Sequence, residues 1–570
     1  MTTKPKVVEK FDVIVLGSGA AGMTAAVVAA TEGLDVCLLE KDTQIGGTTA
    51  WSGGQVWVPG TRVAREMGHS TDSPAAVRSY LRALVTGSER DPRMAAFLEM
   101  APKVIAYLAR HTQVCLRPVP HYPDYYPDCT GATLSGRVLE PESFDASALG
   151  SKLKWLRLPL PEFTLFNDMM VAREDVPCFR QPFKTLRSFR RASRLIFRHA
   201  LEKLRYGRGT SLVLGNALAA RLLASLLDTN VTVATGMVVR SLNRSKNGSV
   251  TGVELMDGSS MIARVGVVLA TGGFTHDRVR RRELFPSAMS DNSATFSGAT
   301  GDGARLAQLV GGYFASASWE NAFLTPVSQY IRADGSSAVF PHTVLDRAKP
   351  GLVAVDWKGE RFVNESVSYH EFGRALLSHH DQENSVKAFA YLIADSNFVW
   401  KYGLGAMKPM RVHRRLLTSQ GYLVEASSIA ELGERLALPV SSFAETIRRY
   451  NQFAKKGEDP TFGRGCNVYQ RFLGDPEVKP NPCVAPIESS PFFAVKIEIG
   501  DLSSAAGLAT DSFSRVLDVE GTPISGLYAC GADARSVMEG SYPGPGITLG
   551  PAITFGYLAA MDMVARSKCR

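Results

Sequence analysis

The 570 residues are 45% apolar, enough for a large core divided between two packed domains, and at 21% charged the composition excludes a disordered tail or low-complexity segment. The eight cysteines (Cys37, Cys115, Cys129, Cys178, Cys466, Cys483, Cys530 and Cys569) form no CxxC pair and no metal-ligand spacing, so no metal is expected and a reducing cytoplasm fits. No run reaches the about 18 apolar residues of a membrane span, and the first apolar run, VIVL, enters a Gly-rich turn instead of a cleavage site, so neither export nor a span is expected.

FDVIVLGSGAAGMTAAVVAATEGLDVCLLEKD reads as strand, tight turn, helix, strand, the opening unit of a doubly wound parallel sheet. Gly17 allows the turn, Gly19 lets the backbone approach a pyrophosphate beside Ala21, and Gly22 lets helix and strand pack closely. Glu40, followed by Lys41, ends the second strand, where a carboxylate can accept from both ribose hydroxyls and disfavours the extra phosphate of NADP. The next segment, QIGGTTAWSGGQVWVPG, holds glycine pairs (Gly46 with Gly47, Gly53 with Gly54) around the small hydroxyl residues Thr48, Thr49 and Ser52. Such a loop can pass close to an isoalloxazine ring and ribityl chain, which favours flavin over nicotinamide.

From Pro59 to about Leu227 the pattern is mostly helical, broken by the Pro/Tyr-rich loop RPVPHYPDYYPDCTGA. Much of the formal charge of +9 gathers at 180–208, where interleaved Leu, Ile and Phe predict one or two basic amphipathic helices. That stretch is either a solvated helical face or a peripheral membrane contact; no nucleic-acid partner is expected. Strand patterns return in VTVATGMVVRSL, VTGVELMD and ARVGVVLATGGF, the last with Gly272 and Gly273. The predicted organisation is an FAD-binding domain in two parts, 1–293 and 491–570, with a substrate domain of mixed helix and strand inserted at 294–490.

The markers GSGAAG, GGTTAWSGG, LATGGF, GERFVNES and GLYACGADA resemble the flavoprotein family that contains fumarate reductases and 3-ketosteroid dehydrogenases, over about Phe11 to Ala565. The resemblance implies a Rossmann-like α/β FAD-binding domain with an inserted α+β catalytic domain. It implies FAD contacts from Thr271 and Gly272, from the valine-rich strand near Val238, from the acid Asp533 and from Leu549. No lysine or histidine is placed for covalent attachment, so noncovalent FAD is expected.

Fumarate reductases of the family hold two carboxylates with arginine and histidine, and here the corresponding C-terminal loop, VMEGSYPGPGITLG, carries Met538 and Tyr542 in those places. A further family arginine falls at Ala348, one residue from Arg347. A buried carboxylate without a paired cation is strongly unfavourable, so a neutral carbonyl compound fits better. YPGPG is similar to the signature of 3-ketosteroid Δ1-dehydrogenases, which implies that the Tyr542 hydroxyl and the Gly546 N–H hold the ketone oxygen and stabilise a developing enolate.

The same resemblance implies a tyrosine base after the FVNE marker, Tyr369, with His370 and Glu371 as rivals, and a second tyrosine that assists it, Tyr125, with Tyr122 and Tyr126 close by. A phenol, with its reference pKa of about 10, needs hydrogen bonds or positive charge to reach phenolate. The expected reaction is α,β-desaturation of a cyclic ketone, carbon 1 to carbon 2 of a 3-ketosteroid, with hydride passing to flavin N5 and an external acceptor such as a quinone reoxidising the flavin. Trp51, Phe323 and Trp319 are candidate wall residues. The alternatives are desaturation of another steroid bond or of a smaller cyclic ketone, a fumarate-reductase-like enoate reductase, or a flavin-carrying protein that docks on membranes through 180–208.

Overall fold

The computed structural model describes residues 9–68, 72–166, 168–180, 182–318, 320–380 and 387–569. Apolar residues run unbroken where strands are covered on both faces. β1 (Glu9–Leu16) is buried from Val13 inward, and β2 (Val36–Glu40) is buried at every position. Between them α1 (Ala20–Thr31) is built of alanines, valines, two threonines, one glycine and one methionine, with each of Ala20 to Ala29 buried. Small side chains on all sides let it lie against the sheet and two other helices at once.

The stretch to residue 227 is helical in part only, since short strands at Val56–Trp57, Leu116–Pro118 and Val138–Pro141 form a separate three-stranded sheet. It ends in α2 (Leu186–Tyr206), which covers most of the basic stretch, and α3 (Leu214–Leu227). Then follow β3 (Thr232–Thr235), β4 (Val239–Arg244), β5 (Val250–Leu255) and β6 (Ser260–Leu269). β3 pairs parallel with β2 and β6 parallel with β1, while β4 and β5 pair antiparallel along β6.

A second, wholly antiparallel sheet comprises β7 (Ala322–Ile331), β8 (Ser337–Pro341), β9 (Leu352–Val355), β10 (Phe389–Ala394), β11 (Leu423–Ala426) and β12 (Phe492–Ser504), in the order β8–β7–β12–β10–β9 with β11 also on β12. α4 (Tyr369–Ser378) packs on β7, where a Cβ on Gly373 would lie 2.9 Å from Leu324 Cβ. The central strand β12 follows the edge drawn at 490: its ladders with β7, β10 and β11 make 492–504 part of the second sheet, because a thirteen-residue strand has its partners there.

The chain then returns to the first sheet. β13 (Arg515–Leu517) and β14 (Pro523–Ala529) complete the order β13–β14–β6–β1–β2–β3, and α5 (Leu549–Ser567) packs on α1, where a Cβ on Gly556 would come within 2.5 Å of the Ala21 carbonyl. This is an α/β FAD-binding fold assembled from both ends of the chain around an α+β insertion.

A buried ion pair fastens the crossover between the sheets. Arg281 donates to Asp501 of β12 and to the Ser290 carbonyl at 2.7 Å, and Ser293 Oγ donates to Asp501 at 2.6 Å. Removing one partner of such a pair leaves an uncompensated buried charge, so Asp501→Asn is expected to lower stability by about 3–5 kcal/mol, read as a fall in the denaturant midpoint.

Candidate active site

The carboxyl ends of β1, β2 and β6 open on a cavity of about 1060 Å³ that runs from the first turn to the Tyr-rich loop. Gly17 (φ +102°) turns against β6, where a Cβ would lie 2.2 Å from the Ala270 carbonyl, and a Cβ on Gly22 would lie 2.0 Å from the Gly17 carbonyl. Gly19, the N-cap of α1, has no side chain to cap it, and apart from the Ala20 N–H, which Thr49 Oγ1 takes, the first-turn N–H groups and the positive end of the helix dipole are left turned toward the cavity. Glu40 holds the turn, accepting from the Ser18 N–H at 3.0 Å and the Ser18 hydroxyl at 2.5 Å. These features fit a dinucleotide pyrophosphate.

The 46–54 loop is fastened at several points. Thr49 Oγ1 accepts from Ala20 N–H at 3.0 Å, Thr48 Oγ1 from Phe296 N–H at 3.0 Å, and Ser52 Oγ donates to the Thr49 carbonyl at 2.8 Å. It rests directly on α3, since a Cβ on Gly54 would lie 2.5 Å from Gly215 N and one on Gly215 would lie 2.0 Å from the Thr49 carbonyl. Gly47, Gly53, Val238, Thr271, Gly272 and Leu549 line the same cavity, as does Lys41, whose ammonium is paired with Asp302 at 2.6 Å. Gly22 and Asp533 stand behind the wall. Asp533 accepts from the main-chain N–H groups of Thr271 and Gly273 and from Thr271 Oγ1 at 2.9 Å, so it clasps the loop after β6 to the loop after β14. Burial raises its carboxyl above the usual range.

At the other end of the cavity lie Tyr125, Tyr369, Tyr542 and Gly546. Tyr369 is the first residue of α4, placed by the Ser368 cap, which accepts from the Glu371 N–H at 3.2 Å. The Tyr125 hydroxyl donates to that of Tyr369 at 3.2 Å. Tyr542 lies edge-on to Tyr369, with ring centroids 5.1 Å apart, and parallel to Tyr125 at 5.6 Å. Burial pushes Tyr542 up to about 12 and both Tyr125 and Tyr369 well above an ordinary phenol. The Tyr-rich loop is tied to the C-terminal loop by the Tyr125 N–H, 3.0 Å from the Pro543 carbonyl, and by the Tyr80 hydroxyl, 2.6 Å from the same oxygen. Gly546 (φ +94°) has no room for a side chain, since a Cβ would lie 2.4 Å from the Gln55 carbonyl, and among the described residues no acceptor takes its N–H.

The neighbouring groups are otherwise engaged. Tyr126 donates to Glu371 at 2.7 Å, and Glu371 is paired with Arg374 at 3.1 Å. His370 accepts the Leu324 N–H at 3.1 Å, and burial lowers its imidazole to about 3, so it stays neutral. Tyr122 packs on Phe472, with ring centroids 4.5 Å apart. Arg347, the residue beside the expected arginine place, donates to the main-chain carbonyls of His342, Thr343, Glu365 and Val367 and offers a substrate carboxylate no fork.

Sequence reading missed much of the remaining wall. Leu160, Phe163, Leu165, Phe166, Met170 and Phe179 line it, and no local motif marks them. Trp51 does line the cavity, edge-on to Phe296 at 5.6 Å, and Phe323 sits behind Tyr542 at 5.4 Å; Trp319 lies outside the described residues. Tyr469, in ring contact with Tyr125 at 4.8 Å, also went unmarked. Among the described residues no cluster of His, Cys, Asp and Glu could hold a metal.

Gly17→Ala forces a Cβ onto the Ala270 carbonyl in a left-handed conformation, so the variant is expected to purify with little flavin, measured as visible absorbance per polypeptide.

Comparison with known proteins agrees with this geometry. The profile of the family described as FAD binding domain matches residues 12–549. A 4-oxocyclohex-2-ene-1-carboxylate 5-dehydrogenase of Sinomonas cyclohexanicum is 38% identical over 98% of this chain and 94% of its own length. A 3-oxosteroid 1-dehydrogenase of Mycolicibacterium smegmatis is 34% identical over 98% of both chains. The solved 3-ketosteroid Δ1-dehydrogenase of Sterolibacterium denitrificans superposes with a TM-score of 0.90 at 33% identity, covering 98% of this chain and 100% of that one. The chain belongs to the FAD-binding domain family, among the flavoproteins that include fumarate reductases and 3-ketosteroid dehydrogenases, and is an FAD-dependent oxidoreductase.

Proposed function

We propose that the protein desaturates a cyclic ketone next to its carbonyl, with a 3-ketosteroid as substrate and carbons 1 and 2 as the site of reaction. The observation that carries this reading is the Tyr125–Tyr369 hydroxyl pair, 3.2 Å apart, in a cavity that Tyr542 and Gly546 share with the glycine loops. Tyr542 O–H and the Gly546 N–H hold the ketone oxygen and favour the enolate over the ketone. Tyr369 takes the α-proton, and Tyr125 donates to the oxygen that becomes phenolate. When bound, noncovalent FAD supplies the acceptor for the hydride that leaves the β-carbon. Gly17, Gly19, Ala21, Gly22, Glu40, Lys41, Gly47, Thr48, Thr49, Ser52, Gly53, Gly54, Val238, Thr271, Gly272, Asp533 and Leu549 form its cradle. Electron balance then requires an external two-electron acceptor, for which we take a quinone.

The wall from Leu160 to Phe179, largely apolar with Glu162, Thr164 and Arg173 among its residues, supports a steroid-sized ketone, since a large apolar body gains about 25 cal/mol for each Å² it removes from water. The Sinomonas relative, 38% identical and named for a small oxo-acid, supports a second reading in which a cyclohexenone carboxylate is the substrate. Met538 and Tyr542, both buried, supply no cation for the two carboxylates of fumarate.

Anaerobic mixing with 4-androstene-3,17-dione is expected to bleach the oxidised flavin and give the 1,4-diene; bleaching by 4-oxocyclohex-2-ene-1-carboxylate alone would move the substrate to the small acid. Tyr369→Phe is expected to retain FAD and lose about 10²–10⁴-fold in kcat, the usual scale for removing a general base. Because the base must be deprotonated, and burial raises the Tyr369 hydroxyl, kcat/KM of the parent enzyme should climb with pH through the alkaline range.

The same reading includes peripheral contact with membrane through 180–208, where an apolar ketone would dissolve. Phe183 and Leu204 are 83% and 87% exposed beside the arginines of α2, and Ala192 and Ile196 of that helix line the cavity. No helix among the described residues is long and apolar enough to cross a membrane. Sedimentation with anionic vesicles is expected, weakening with salt and lost in a Phe183→Ser/Leu204→Ser variant; salt-independent floating of the protein away from vesicles would remove the contact.

A further inference from the structure

A phenol buried in the interior normally finds a partner for its hydroxyl, because an unsatisfied one costs about 1–3 kcal/mol. Tyr469 breaks that rule. It is 1% exposed, its ring touches Tyr125 at 4.8 Å, and among the described residues its hydroxyl makes no well-formed hydrogen bond, although the Tyr125 hydroxyl lies beside it. It does not line the cavity, so substrate contact cannot explain it.

Arg347 is the second anomaly. It is 1% exposed, and among the described residues its guanidinium donates only to main-chain carbonyls, at 2.7–3.4 Å, while lying over the Phe372 ring at 4.8 Å. Among the described residues no carboxylate lies within ion-pair distance of it. Asp346, its neighbour in sequence, turns its carboxylate to His342 Nδ1 at 2.6 Å and to the Arg347 N–H at 2.8 Å. The other cation nearby, Arg464, is paired with Glu365 at 3.1 Å. The charge of Arg347 therefore falls on what else surrounds it, and that is Tyr469 and Tyr125, together with Asp346 and Arg464.

We propose that Tyr469 and Arg347 are positioning residues for the base, a hidden third phenol and a buried cation behind Tyr125 that make a negative charge at Tyr369 affordable in a dry site. Tyr369 lies at the cavity, Tyr125 donates to it, Tyr469 packs on Tyr125, and Arg347, bonded to the Val367 carbonyl two residues before Tyr369, is close enough for its charge to act on both Tyr125 and Tyr469. When Tyr369 is phenolate, polarisation passes along the row: Tyr125 donates more strongly, and Tyr469 turns its unspent O–H to Tyr125. Arg347 stabilises the cluster through a low dielectric, since Asp346, the carboxylate that also acts on it, is turned to His342 and not to the guanidinium. Tyr122 and Tyr542 also face Tyr469, but both are neutral phenols and supply no counter-charge.

This rests on Tyr369 acting as the base, and the test separates the two. The pH profile of kcat/KM is measured for the FAD-loaded parent, Tyr469→Phe and Arg347→Lys, with Tyr369→Phe alongside. Tyr469→Phe removes one oxygen that makes no well-formed hydrogen bond among the described residues, so a merely structural role leaves the profile unmoved. The inference expects the alkaline limb to move up by about one pH unit, which is about tenfold in kcat/KM at neutral pH, with KM and flavin content unchanged. Arg347→Lys, which keeps the charge, should move it less. A parental pH profile for Tyr469→Phe overturns the inference while leaving the base reading intact, and so does a change confined to KM. Turnover retained by Tyr369→Phe removes the base reading and this inference with it.

Discussion

The Pro543 carbonyl receives two hydrogen bonds, from the Tyr125 N–H at 3.0 Å and the Tyr80 hydroxyl at 2.6 Å, and the arrangement of the tyrosine cluster depends on them. They join a loop near residue 125 to the loop that opens α5, across 463 positions of sequence in the case of Tyr80. Tyr369 arrives from a third direction, at the first turn of a helix seated on the second sheet. A proline at 543 suits the junction, since it fixes the backbone while leaving its carbonyl free to accept twice. Below the Tyr-rich loop, Asp124 is fully buried and accepts from Trp57, Arg137 and Thr133, which holds the loop rigid where it meets the site.

Burial does two opposed things here. It makes every phenol of the cluster harder to ionise, as the raised values of Tyr125, Tyr369, Tyr469 and Tyr542 register. It also strengthens each hydrogen bond and each charge acting on that cluster, because little water screens them. The tyrosine base proposed above needs the second effect to offset the first. Histidine would have been the ordinary choice, and the one beside Tyr369 is held neutral and turned to a backbone N–H.

The cofactor end is governed by contact between backbones instead of by charge. At Gly17, Gly22, Gly54 and Gly546 a single added carbon would come within 2.5 Å of main-chain atoms, so the strands, the 46–54 loop and the C-terminal loop can close only on glycine. Asp533 adds a polar clasp, fixing the loop after β6 by three hydrogen bonds. The substrate end has the opposite character: its outer wall is largely apolar and comes from loops at 160–179 and from α2, whose exposed face is both basic and hydrophobic.

The sequence by itself determined the parts whose chemistry is local. The GSGAAG turn, Glu40 and the 46–54 loop announce a flavin dinucleotide site because helix and strand periods and glycine spacing are written in consecutive residues. The YPGPG and FVNES segments likewise named Tyr542, Gly546 and Tyr369 through the resemblance they carry. Tertiary structure alone decided which of Tyr122, Tyr125 and Tyr126 meets Tyr369, because neighbours in one loop differ only in where their side chains are pointed: Tyr126 goes to Glu371 and Tyr125 to Tyr369. It also decided that 492–504 belongs to the second sheet, since strand partners are set by long-range ladders that no local pattern records. That among the described residues the Arg347 guanidinium meets no carboxylate and the Tyr469 hydroxyl makes no well-formed hydrogen bond became visible only there as well, because a missing partner is a property of the folded neighbourhood and not of the residue.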